Sequence, residues 1–215
     1  MSDSAARAPF LLLPLIVAFA LPTTADPAAI APADTGSASA RIEALHGQLL
    51  EVMRNAVALG YQGREAKLSG VIPGYFDVDF MAQKSLGSHW KSAEPGERRR
   101  YLEAFERFMV ANYAGRFDGF SGQSFETRGA EPARLDTVVV KTVLHDPGGE
   151  DVELNYRMRQ QDGVWKIIDV YLDGTVSELA LRRSEFASIV KREDLDALIV
   201  ALDEKIAKLA AGGEG

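Results

Sequence analysis

The chain has no cysteine. Structural disulfides, thiolate metal sites, CxxC redox chemistry and cysteine nucleophiles are therefore all excluded, although the absence says nothing about compartment. Histidine is scarce as well. His46, His89 and His145 are scattered, with no HExxH and no paired spacing, so no metal site is expected. There is no GxSxG elbow. Gly115, Gly119 and Gly122 are separated by bulky residues and lack a following Lys-Ser/Thr, so they predict a helix terminus and loop rather than a phosphate cradle. Basic residues are outnumbered, 24 Lys+Arg against 31 Asp+Glu for a net charge of −7, which argues against nucleic acid as a partner. No cofactor is implied.

Long apolar runs are missing too, except at the amino terminus. There Arg7 precedes Phe10–Leu21, and Thr23-Thr24-Ala25 supplies the small residues of a cleavage site. That run is about a dozen residues, where a membrane span needs about twenty, so residues 1–25 read as a secretory signal peptide and the protein as exported to the periplasm. Residues 26–40, rich in Ala, Pro, Ser, Thr and Gly, read as a flexible leader, and residues 41–215 as one domain.

Within that domain, apolar residues from Ile42 to Val57 recur at three and four, predicting a helix that stops near Gly60. The segment Val71–Met81 is crowded with large apolar groups but broken by Pro73-Gly74, which suggests short helical turns aiming Ile72, Phe76, Phe80 and Met81 inward; Leu86 and Trp90 extend it. Pro95 opens a long helix whose stripe includes Phe105 and Met109. The period then changes to two. Strands are expected at 124–128, 137–144, around Val152–Met158, and at 164–172, followed by helices at 176–190 and 195–210. Helices, an antiparallel meander of about four strands, then helices again make an α+β class. A hairpin at Asp162-Gly163 puts Leu154, Tyr156 and Met158 on one face with Trp165, Ile167, Asp169 and Tyr171.

Two carboxylate sites invite a chemical reading. Asp77-Val78-Asp79 beside a turn reads as a helix cap rather than an acid-base pair. Asp169, an acid among apolar neighbours, has a structural reading as a partner for an arginine or a backbone donor, and a functional one as a polar contact at a cavity mouth or a general base. The Arg98-Arg99-Arg100 run reads as a solvated helix face or a docking patch for an acidic partner or lipid headgroups.

The stretch Gly70–Trp90, the Pro95 helix, Asp146-Pro147-Gly148-Gly149, Gly163–Val170 and Arg183-Ser184-Glu185-Phe186 together resemble the MlaC family of periplasmic lipid-binding proteins, in order and in spacing. The resemblance covers about Arg41 to Leu209. It implies an NTF2-like fold, a curved antiparallel sheet enclosing an apolar cavity, and a carrier role between an inner-membrane ABC transporter and an outer-membrane partner. In this chain Leu172–Arg182 is one residue longer than the usual family pattern and is similar to the branch associated with hopanoids. The ligand implied is thus a hopanoid or a phospholipid. A carrier is also what physics asks for, because each buried methylene contributes about 0.8 kcal/mol and a sixteen-carbon tail roughly 13 kcal/mol, which only a comparable apolar enclosure can match. The apolar residues named above, together with Asp169, are the expected lining, and each apolar one has ordinary core as its alternative. The alternative function is an NTF2-like enzyme with Asp169 as base.

Overall fold

Asp34 opens the first helix by accepting a hydrogen bond from the Ser37 backbone N–H (3.1 Å), so the chain is helical from Thr35. The computed structural model describes residues 34–212; the expected signal peptide and the first part of the expected leader lie outside the described residues. Residues 35–40, expected in the leader, instead form the first turns of α1 (Thr35–Arg54). The physical reason is packing. Ala38 is fully buried, and Ser37 Oγ accepts the indole N–H of Trp165 at 2.8 Å.

α1 ends at Asn55, and α2 (Ala56–Tyr75) carries a kink at Gly60, where φ of 58° suits glycine. The Pro73-Gly74 sequence does not break this helix; it falls in the last turn, where Lys166 Nζ donates to the carbonyls of Pro73 (2.9 Å) and Gly74 (2.6 Å) and satisfies orphan acceptors. Asp77 caps α3 (Val78–Leu86), accepting from Phe80 N at 3.1 Å, as the capping reading expects. A short α4 (His89–Ser92) leads into α5 (Pro95–Arg116), which starts with a capping box between Glu94 and Glu97.

Five strands follow in sequential antiparallel order: β1 (Ser124–Ala133), β2 (Thr137–His145), β3 (Val152–Gln161), β4 (Val164–Leu172) and the two-residue β5 (Val176–Ser177). The α+β class expected from sequence is the class found, with five strands instead of about four. β1 runs five residues past its expected end because a bulge between Thr127 and Gly129 lets this edge strand continue, and an edge also tolerates Pro132. α6 (Glu178–Arg192) and α7 (Leu195–Ala210) close the chain.

A second bulge decides which side chains meet. β3 pairs with β4 as Met158↔Ile167 and then Arg157↔Asp169, leaving Ile168 as the extra residue. Before it, Trp165 and Ile167 share a face with Met158. Beyond it the parity flips, so Val170 and Leu172, opposite Tyr156 and Leu154, lie on the apolar face. Asp169 and Tyr171 therefore leave the face on which the hairpin count placed them.

Candidate functional site

A cavity of about 500 Å³ opens where the far end of the sheet passes out from under the helices. Its floor is the apolar face of β2, β3 and β4, through Leu144, Leu154, Tyr156, Val170 and Leu172. The last turn of α5 and the loop after it supply Tyr113, Arg116, Phe117 and Phe120, and Met53 closes it from α1. A narrower cleft of about 50 Å³ continues between α3, α5 and α6, lined by Phe76, Met81, Phe105, Phe108 and Met109. Tyr113, Arg116, Val170 and Glu178 line both.

The polar groups on these walls are largely committed to one another. Arg116 Nη1 donates to Glu178 Oε1 at 2.8 Å where cavity and cleft meet. Under α1 at the edge of the cavity, the Tyr156 hydroxyl shares a hydrogen bond with His46 Nε2 (3.2 Å), and the His46 ring stacks on Phe125 with centroids 3.8 Å apart. Burial pushes the His46 imidazole down to about 3, so it is neutral. Burial also raises the phenols of Tyr113 and Tyr156, with Glu178 adding to both shifts. Such a surface suits an uncharged chain: apart from Asp118 near the loop, it offers wide apolar walls with mostly neutral or paired polar groups, at a volume within the about 300–1,000 Å³ typical of small-molecule sites.

The expected lining residues separate into five groups. Leu154 and Tyr156 line the cavity, and Phe76, Met81, Phe105 and Met109 line the cleft. Ile72, Leu86, Met158, Trp165 and Ile167 are solid core, because helices pack directly on them. Trp90 is half-buried under the Arg98 guanidinium (5.4 Å), away from both spaces. Phe80 and Asp169 border a separate groove.

Asp169 is the main correction. Its oxygens accept from Val170 N (2.8 Å), Ser177 Oγ (2.7 Å) and Leu179 N (3.1 Å), which ties the end of β4 to the start of α6. Burial raises its carboxyl and these donors hold it partly back. The bulge at Ile168 turns it away from the cavity, so the general-base reading loses its geometry, and the backbone-partner reading describes the residue. Asp77 is likewise structural: beyond capping α3, it accepts from Arg159 Nε at 2.8 Å. In the 98–100 run, Arg98 lies over Trp90 and Arg100 pairs with exposed Asp196.

Sequence reasoning missed Met53, Phe117, Phe120, Leu144, Val170, Leu172 and Glu178. One signal was present. Phe117 and Phe120 bracket Asp118-Gly119 in a segment too polar and glycine-rich to be an element, and aromatics in such a loop need a surface to cover.

The class these observations define is an α+β domain in which one antiparallel sheet and its covering helices share an apolar cavity. The family model for the MlaC protein matches residues 43–204, and the chain belongs to the MlaC family. It is 22% identical over 135 residues to the intermembrane phospholipid transport system binding protein MlaC of Haemophilus influenzae, an alignment spanning 60% of this chain and 62% of that protein. A phospholipid-binding protein of Ralstonia solanacearum, solved in complex with a phospholipid, has the same fold, with a TM-score of 0.71 at 24% identity over 81% of this chain and 99% of the other.

Proposed function

We propose that this protein is a periplasmic lipid carrier whose cavity and cleft together hold the hydrocarbon part of a phospholipid or hopanoid. The observation that carries this is the cavity itself, about 500 Å³ between a bare apolar sheet face and aromatic loop residues, with an apolar cleft leading inward. The two relatives, one a phospholipid transport system binding protein and the other solved with a phospholipid, support the ligand class. The lengthened segment Leu172–Arg182 contributes Leu172 and Glu178 to the wall, which is why a rigid polycyclic hopanoid stays beside a two-tailed phospholipid in this reading. The signal-like Phe10–Leu21 run supports periplasmic residence, and the bulged antiparallel sheet covered by helices supports the NTF2-like description.

A carrier of this kind needs a protein to take its cargo, since release into water meets the whole tail-transfer penalty. An inner-membrane ABC transporter and an outer-membrane partner fill that role in this proposal. Native mass spectrometry of protein recovered from the periplasm of a host that makes both lipid classes tests the core of it. One lipid per chain is expected, and its mass names the class. Protein that is empty under conditions preserving known lipid complexes would overturn the carrier reading.

A further inference from the structure

On the other side of the sheet from the lipid cavity lies a second groove of about 420 Å³, bounded by α3, the tip of the β1–β2 hairpin, β3, β4 and the start of α6. It shares no lining residue with the cavity. Four cations border it, Lys84, Arg157, Arg159 and Arg183, on a chain whose net charge is −7. We propose that this groove is a docking site for an acidic segment of a partner protein, one that presents carboxylates together with a few apolar side chains. The proposal does not depend on what the cavity holds.

Three of the four cations are not neutralised, and the fourth, Arg159, keeps its place through an ion pair with Asp77. Arg159 also lies over the Phe80 ring at 4.2 Å, and Lys84 stands 5.1 Å from the centre of that same ring. Arg157 donates to Thr137 Oγ1 and to the Arg134 carbonyl, both at 3.0 Å. Arg183 is exposed and rests against Gly87, with its Nε 2.9 Å from where a Cβ on that glycine would lie. Among the described residues Lys84, Arg157 and Arg183 form no ion pair. The one acid on the groove, Asp169, already accepts three hydrogen bonds. A guanidinium fixed in advance, as that of Arg157 is by its two hydrogen bonds, binds a carboxylate with little ordering cost.

The rim carries an apolar handle as well. Leu135, at the hairpin tip, is 87% exposed and sits at φ 61°, a conformation that leucine adopts only at a steric cost glycine or asparagine would avoid. Asp136 beside it is also at positive φ (52°), so the tight β1–β2 turn sets the backbone and the leucine side chain is what this tip presents to solvent beside the basic groove. A narrow peptide segment reaches into this concavity. An anionic bilayer presents a flat surface, and its charge is repelled by the rest of the chain.

Fluorescence anisotropy with the full chain tests the proposal. The probes are a short labelled peptide of repeated Glu-Glu-Leu, the matching Lys-Lys-Leu peptide, and phosphatidylglycerol vesicles. The acidic peptide is expected to bind and the basic one not. The double variant Lys84→Glu/Arg183→Glu, two exposed side chains, should bind the acidic peptide roughly tenfold more weakly or worse, as attraction becomes repulsion. Lys84→Arg/Arg183→Lys should retain binding, and Arg99→Glu, an exposed charge on α5, should leave it unchanged. Circular dichroism confirms that each variant is folded. Failure of the acidic peptide to bind, equal binding by the folded charge-reversed variant, or capture of vesicles but not peptide through these residues would overturn the proposal.

Discussion

The two ends of one sheet face are built from the same kinds of residue and do different things. At the end near the β3–β4 turn, Val138, Met158, Trp165 and Ile167 are buried beneath α1, whose Ala38, Ile42 and Leu45 have no exposed surface. At the opposite end Leu144, Val152, Leu154 and Leu172 are only half-buried and face about 500 Å³ of space. Met158 and Leu154 stand four residues apart on the same side of β3. One is core and the other is wall, and what separates them is whether a helix lies on top. A cavity here is a place where coverage stops, while the strand below it continues unchanged.

Charge insertion gives the largest expected contrast between these ends. Met158→Asp buries an unpaired carboxylate in close-packed surroundings, which should destabilise by about 3–5 kcal/mol or unfold the domain outright. Leu154→Asp places the same group where water can reach it. That variant should keep its far-UV circular dichroism and lose most bound lipid. Comparing melting curves with lipid content by mass spectrometry checks both. If Leu154→Asp stayed folded and fully loaded, the cavity assignment would be wrong; if Met158→Asp melted like the parent, the packed end would not be packed.

That contrast also shows what was legible in the sequence. Alternation in Val152–Met158 assigned a face to each side chain, and the assignment holds for Leu154, Tyr156 and Met158. It carries no information about coverage, so Met158 read the same as Leu154. Asp169 was misplaced for a different reason: a single bulged residue reverses parity, and Ile168 is as good a strand residue as its neighbours. The helix over 35–40 was hidden by composition, since small residues look like leader until a tryptophan far along the chain packs on them. The basic groove was invisible because Lys84, Arg157, Arg159 and Arg183 come from three separate elements.

An intermediate effect should come from His46, which sits where the packed end gives way to the cavity. Its folded-state value is depressed from 6.5 to about 3 by burial. Stability is therefore unaffected above pH 6.5 and falls as the pH drops from there toward 3, because the unfolded chain takes up a proton that the folded one refuses. The full loss across that window is on the order of a few kcal/mol. Replacing His46 by Gln should flatten the acid limb of a plot of denaturation midpoint against pH, whatever it does to stability at neutral pH. An unchanged slope between pH 6.5 and 4 would show that this imidazole is hydrated.

At the open end a second histidine has the opposite bias, and it sharpens the comparison with the smallest effect. His145 Nδ1 lies 2.7 Å from Asp151 Oδ2, and its Nε2 lies 3.0 Å from Glu126 Oε2, so one ring links β1, β2 and the loop leading to β3 beside cavity-lining Leu144 and Asp146. The two carboxylates raise the His145 imidazole above 6.5 and are themselves lowered by it. Because the folded value is raised, its stabilisation is fully present below pH 6.5 and disappears as pH rises through the raised value. The acids contribute above their unfolded values of 4.5 and 3.8 and lose that contribution as pH falls. The clasp is thus strongest between about pH 4.5 and 6.5, the interval in which His46 is beginning to destabilise the protein. His145→Gln should lower the melting temperature most in that interval, and the difference should shrink toward alkaline pH and in high salt, since both acids are exposed and the imidazole is only half-buried. A difference that instead grew above pH 8, or ignored salt, would mean that the ring is held by packing and that its charge contributes nothing at this end of the sheet.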